Sequence, residues 1–173
     1  CLSGSIERVG DSLALQVELG DLDTEAVLWM DRLHGRLGDL HQIRADICDR
    51  AASALEMRIS ALEAQRARVR SPENLDAWSN YHLGIDHMYR FTANDTARAL
   101  GYFQQATRLE PDIARAHAGH SFASFQNAFN QYDGVDIKAS RLEARRSAER
   151  SVELDHLDPL ANFVMGRYYW LES

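Results

Sequence analysis

Two hydrophobic periods divide this chain. Apolar positions alternate with polar ones up to about residue 33, and from about residue 40 they return every three or four residues. In the first stretch Leu13, Leu15, Val17 and Leu19 alternate with Ala14, Gln16 and Glu18, a period of two with one apolar face. Residues 2–9 read as a partner strand joined through Gly10-Asp11. Gly tolerates the positive φ of a tight hairpin, although Gly-Asp is a weaker cue than Asp-Gly. A second turn is expected at Gly20-Asp21-Leu22-Asp23, and a third strand over 26–33. That strand places Val27 and Trp29 on one face and Leu28 and Met30 on the other, so it should need cover on both. Gly35 and Gly38 punctuate the change to helix, and Asp39 is the natural N-cap.

Beyond that cap, Leu40, Ile43, Ile47, Ala51, Leu55, Ile59 and Leu62 form a helical stripe that runs to about Arg68. Thirty residues at 1.5 Å each give a helix of roughly 45 Å, stopped by Ser71-Pro72. From residue 73 the pattern stays helical, with breaks near 92–95, 110–112, 132–134 and 155–159. Within it, Ala99-x3-Phe103-x2-Ala106-x2-Leu109-x-Pro111 matches the second helix and closing proline of the tetratricopeptide signature. Small residues at 99 and 106 let two helices approach while the Phe103 ring fills the gap, and Pro111 fixes where the next helix begins. Leu83-Gly84 supplies the Leu-Gly of the first helix, with Trp78 and Tyr81 as bulky neighbours. A second copy begins at Ala114 and carries Ala144, Ala148 and Leu154, with Ser121 where the glycine would stand. A third begins at Pro159, with Met165-Gly166 in the Leu-Gly position. Those two Leu-Gly positions lie 82 residues apart, 14 more than two repeats of about 34. Insertions at 90–95 and 130–138 absorb the excess.

The expected fold is therefore mainly α: tetratricopeptide-like (TPR-like) antiparallel helix pairs, an α-solenoid, preceded by a small three-stranded β segment and one long helix. The expected domains are a β segment over 1–35, a connecting helix over 36–70 and repeats over 71–173. Their copies span 75–113, 114–158 and a truncated 159–173. An initial Met is absent and the helical pattern runs to Ser173, so the chain is expected to be a piece of a longer protein.

Composition narrows the function. The formal net charge is -7, which repels phosphate backbones, so nucleic acid is not an expected partner. Arg66, Arg68 and Arg70 cluster locally, where a helix C-terminus favours positive charge. Two cysteines, Cys1 and Cys48, make neither a disulfide framework nor a CxxC metal motif. No apolar run of about 18 residues suggests a membrane span, and no secretory signal is apparent.

A broader likeness follows from two quoted stretches. Leu2-Ser-Gly-Ser-Ile-Glu-Arg-Val-Gly-Asp-Ser-Leu13, with Ala26-Val-Leu-Trp29-Met-Asp-Arg32, resembles the end of the TolB-like region of multidomain bacterial regulators. Pro72-Glu-Asn-Leu-Asp-Ala77 resembles the phrase that opens the tetratricopeptide repeats of that family. The resemblance implies a sensory or scaffolding part of a signalling protein. It implies an upstream class III adenylate or guanylate cyclase domain, or a winged-helix DNA-binding domain of a transcriptional regulator. The cyclase's own metal-binding motifs are absent from this sequence. It implies a cytoplasmic location, or a periplasmic one if the parent has an upstream membrane span.

Candidate chemistry is sparse. His117 and His120 share a helix face, and His34 and His41 flank a turn. Neither pair has a third ligand at metal-site spacing. Asp21, Asp23 and Glu25 lack the glycine and terminal glutamate of a calcium loop. No nucleophile elbow or phosphate loop is present, so no catalytic residue, metal or cofactor is expected, and the segment is not expected to be an enzyme. Binding is the better expectation. The register assigns a groove to Tyr81, Ile85, Met88 and Tyr89 in the first copy and to Arg115, Phe122, Phe125 and Gln126 in the second. Leu83, Gly84, Ala99, Phe103, Ala106, Pro111 and Gly166 are assigned to packing between repeats. Aromatics with a Met and an Arg suit capture of a protein or peptide partner, although the same residues could equally pack on the 36–69 helix or a neighbouring subunit. Phe163, Trp170 and Leu171 are expected to pack on the rest of a third repeat. The expected function is a non-catalytic scaffold module. The alternatives are a small-molecule sensor and a homodimerising spacer that controls an upstream output domain.

Overall fold

The computed structural model describes residues 1–22, 25–71 and 74–172, and not the side chains of Leu40 and Met57. Turn residue Asp23, the helix stop at Pro72 and the Pro72-Glu73 start of the repeat phrase lie outside the described residues. Among those described are six α-helices and one three-stranded antiparallel sheet. The chain folds as two compact units, Cys1–Ile59 and Ser60–Ser173.

In the first unit, β1 (Leu2–Val9), β2 (Ser12–Gly20) and β3 (Val27–Arg36) form a meander in that order. The β1–β2 register runs from Leu2 opposite Leu19 to Val9 opposite Ser12, leaving Gly10 and Asp11 as the turn. Gly10 has φ +63, and Asp11 is not among the residues with positive φ. Positive φ at the first central residue alone is the type II′ pattern. The order Gly-Asp is thus the one this turn requires.

Alternate β2 residues Leu13, Leu15, Val17 and Leu19 are buried. Leu13 and Leu15 pack with Ile43, Leu37 and Ile47, on and just before helix α1 (Leu40–Arg68). Asp39 closes a 3-10 turn, Leu37–Asp39, immediately before that helix. Two expectations need correction. Gly35 lies inside β3 opposite Leu13 instead of ending the strand. A Cβ there would stand 2.5 Å from the Ile43 Cδ1, so the missing side chain makes room for the helix. Nor is β3 covered on both faces: Val27 and Met30 are exposed while Leu33 is buried, because one helix layer shields one face of a sheet.

The second unit begins with the last residues of α1 and continues through α2 (Ala77–Met88), α3 (Ala93–Leu109), α4 (Ala114–Asn130), α5 (Ile137–Leu154) and α6 (Pro159–Glu172). Short loops make sequential helices antiparallel neighbours. The packing follows suit: α2 on α3, α4 on α5 and α6 on α5, with α2, α4 and α6 also side by side. Local chemistry starts the helices. Asp76 accepts from the Ser79 N–H at 2.7 Å, and Asp136 from the Ala139 N–H at 3.0 Å. Thr92 accepts from the Asp95 N–H at 3.1 Å, each satisfying a donor that the first turn leaves free.

Phe103 is fully buried at the centre of the unit, as are Ala99 and Ala106. Cβ atoms added at Gly84 on α2 and Gly119 on α4 would stand 2.6 and 2.4 Å from its ring. The ring therefore sits in a slot that exists because two glycines lack side chains. Ala64 and Ala67, on the last turns of α1, are buried with Leu83, Leu75 and Tyr102.

A candidate interaction face

The residues assigned to a groove separate into three groups. Tyr81, Ile85, Met88 and Gln126 are interior, at 6, 8, 0 and 1 % exposure, and so cannot meet a partner directly. Gln126 is a polar tie: Thr96 Oγ1 donates to its Oε1 at 3.1 Å, and its Nε2 donates to the Met88 carbonyl at 3.1 Å. Burial pushes the Tyr81 phenol up to about 12. Arg115 forms the second group, because its Nε donates to Asp158 Oδ2 at 2.7 Å. The other oxygen of Asp158 accepts from the N–H groups of Leu160 and Ala161 at 2.8 and 3.0 Å. Arg115 therefore anchors the start of α6. Tyr89, Phe122 and Phe125 form the third group: Tyr89 is more than half exposed, whereas Phe122 and Phe125 are as enclosed as Tyr81 and lie beneath exposed rings.

Among the packing residues, Leu83 is buried with Gly84, Ala99, Phe103 and Ala106. Pro111 is exposed, and its carbonyl accepts from His117 Nε2 at 2.8 Å. Gly166 is also exposed, with nothing within 4 Å of a Cβ built on it.

The open surface along α2, α4 and α6 is aromatic. Tyr89 and Phe91 lie 6.2 and 6.5 Å from Phe122, whose ring lies 6.2 Å from Phe163. A second group joins Phe125, Phe129 and Trp170, with centroids 5.5 to 6.2 Å apart. Arg167 links the groups: its Cζ stands 4.2 Å from the Phe122 ring, 3.9 Å from Phe125 and 5.5 Å from Phe163. These distances are within cation–π range. Burial lowers the pKa of its guanidinium. Phe122 and Phe125 form the floor at 5 % exposure each, while Tyr89, Phe91, Phe129, Phe163 and Trp170 are more than half exposed. A shallow cleft of about 270 Å³ lies beside Trp170, lined also by Phe129 and Arg141.

The rim is held in place. Phe91 has φ +55, a region that bulky side chains rarely adopt. Its carbonyl accepts from the Tyr132 hydroxyl at 3.1 Å, and that hydroxyl accepts from Asn130 Nδ2 at 3.1 Å. Strain of this sort persists where surrounding structure fixes it.

This chain is similar to a bacterial adenylate cyclase-like protein. It is 21% identical over 164 residues to "Putative adenylate cyclase 3" of Rhizobium meliloti (strain 1021). The match covers 95% of this chain and 28% of that relative. No family model matches the chain.

The sequence did not mark Arg167, Phe91 or Phe129 as site residues. Arg167 follows Gly166 directly, and a register built on small and apolar positions gives such a cation no role. The signal available was the neighbouring Phe163 and Trp170, which are expected to pack on further chain and here are more than half exposed. Among the described residues no helix is long and apolar enough to cross a membrane.

Proposed function

We propose that this chain is a non-catalytic interaction module of a bacterial signalling protein related to adenylate cyclases. It binds polypeptide on the aromatic face of α2, α4 and α6. One observation carries the reading: five large aromatic side chains remain more than half exposed around a floor of Phe122 and Phe125. Contiguous apolar surface of this kind is unusual unless it is used, and Trp, Tyr and Arg dominate binding energy at interfaces. The likeness to an adenylate cyclase supplies the signalling context, with any cyclase activity of a longer protein residing outside this segment.

The face can be tested with a random dodecapeptide library displayed on phage and selected against the chain. Enriched peptides should bind the wild type. They should bind Phe163→Ala and Trp170→Ala more weakly by a factor of about ten or more, since a hot-spot truncation costs about 2 kcal/mol. Circular dichroism should stay helical in both. Failure of any sequence to enrich, or binding that survives both substitutions, would remove this reading. Turnover of ATP by the purified chain would remove its non-catalytic part.

A further inference from the structure

Arg167 is chemically out of place. The chain holds 26 acidic residues against 19 Lys and Arg, and many arginines of the second unit sit against carboxylates. Arg68 and Arg90 pair with Asp86, Arg115 with Asp158, and Arg150 with Asp112. Arg167 has only aromatic rings as partners among the described residues.

Two consequences follow from its chemistry. A guanidinium carries five N–H donors in its own plane, and contact with ring faces through its charge leaves those donors without acceptors. The rings also exclude part of the water that would otherwise satisfy them. An arriving carboxylate accepts two parallel hydrogen bonds from such a group. Reduced solvation strengthens that pairing. Arg141, on the cleft beside Trp170, adds a second positive charge along the same face.

Resting on the interaction face described above, we propose that its partner is an acidic polypeptide segment. The segment delivers an Asp or Glu carboxylate, flanked by apolar side chains, to the Arg167 guanidinium between Phe122 and Phe125. The apolar flanks lie on Phe163 and Trp170. The rings supply contact area, and the arginine selects the charge.

The test uses the best-enriched dodecapeptide from the phage selection, synthesised with a fluorescein label, together with a twin in which each Asp is Asn and each Glu is Gln. The acidic peptide should bind the wild-type chain about tenfold or more tightly than its neutral twin, as a hydrogen bond to a charged group implies. Arg167→Gln should bring the two affinities together. Arg167→Lys keeps the charge without the planar fork, and should retain part of the preference. Retention by Arg167→Lys guards against an unfolded Arg167→Gln being taken as success. Equal affinity of both peptides for wild type would overturn the carboxylate proposal and leave the aromatic face as a binding site. No enrichment in the selection would overturn both. Light scattering that shows a dimer dissociated by Arg167→Gln would make the face a self-interface and overturn the acidic-peptide proposal.

Discussion

Helix α4 uses aromatic chemistry on two flanks to opposite effect. On one, Ala116, Gly119 and Ala123 are small and fully enclosed, and the phenyl ring of Phe103 lodges against Gly119. On the other, Phe122, Phe125 and Phe129 project toward Arg167 and Trp170, with much of the ring surface around them open. A ring opposed by glycine and alanine is structural, because its volume is matched to a slot and nothing else can approach. Rings that stand outside such packing, Phe129, Phe163 and Trp170, remain more than half exposed. Small residues opposite a ring therefore mark packing, as Gly84 and Gly119 do for Phe103.

The largest test of that contrast is at the slot. Phe103→Ala should destabilise the second unit by about 3–5 kcal/mol, through lost burial and the cavity left behind. Gly119→Ala should cost about 1–3 kcal/mol, since its Cβ would stand 2.4 Å from a ring with no free side. The decisive variant combines them. With the ring gone, the added methyl fills space, and alanine is the better helix former by about 0.8–1 kcal/mol. Gly119→Ala should then stabilise the Phe103→Ala chain. Urea melts of the four proteins would give the coupling. Additive effects would show that the glycine and the ring do not share a slot.

How much was legible in the sequence follows the same division. The strands, the long helix and the breaks between later helices could be read, because period two and period 3.6 are imposed by burying one face. The end of β3 could not be read, because Gly35 looks like punctuation until Ile43 is seen beside it. Ala64 and Ala67 were equally silent: they are buried at 1 and 2 % exposure, yet alanine barely registers in a hydrophobic stripe. The register placed Tyr89 on open surface but also named Met88 and Gln126, which are enclosed. A repeat pattern gives positions along a helix, whereas the Gln126 bonds to Thr96 and Met88 depend on how three helices meet. Arg167 was invisible for a similar reason, since its rings come from α4 and α6 and only folding assembles them.

A smaller effect concerns the enclosed side of α2. His82 is 2 % exposed, and neither of its ring nitrogens has a hydrogen-bond partner among the described residues. It packs edge-on against Trp78 and Tyr81, with ring centroids 4.2 and 4.9 Å away. Burial lowers its pKa from the ordinary 6.5, partly opposed by the charge of Glu63. The unfolded chain therefore takes up a proton on His82 as pH falls through 6.5, while the folded chain resists until lower pH. Stability from the neutral imidazole is complete above that value and declines below it. His120 is lowered by burial too and adds the same sign. Melting temperatures at about pH 7.5 and about pH 5.5 should fall further for wild type than for His82→Phe. An equal fall in both would mean that this histidine does not report the packing.

The finest comparison sets two glycines against each other. Gly84 on α2 and Gly166 on α6 lie 82 residues apart, and the sequence register assigns both to the same role. A Cβ at Gly84 meets the Phe103 ring at 2.6 Å, whereas one at Gly166 meets nothing within 4 Å. The same substitution should therefore have opposite signs. Gly84→Ala should destabilise, whereas Gly166→Ala should stabilise by up to about 1 kcal/mol, because alanine lowers the entropy cost of ordering the helix. Thermal melts of the two variants at equal concentration would read both signs. A destabilising Gly166→Ala would mean that a surface covers α6 at that position in solution, and its dependence on protein concentration would show whether a second copy provides it.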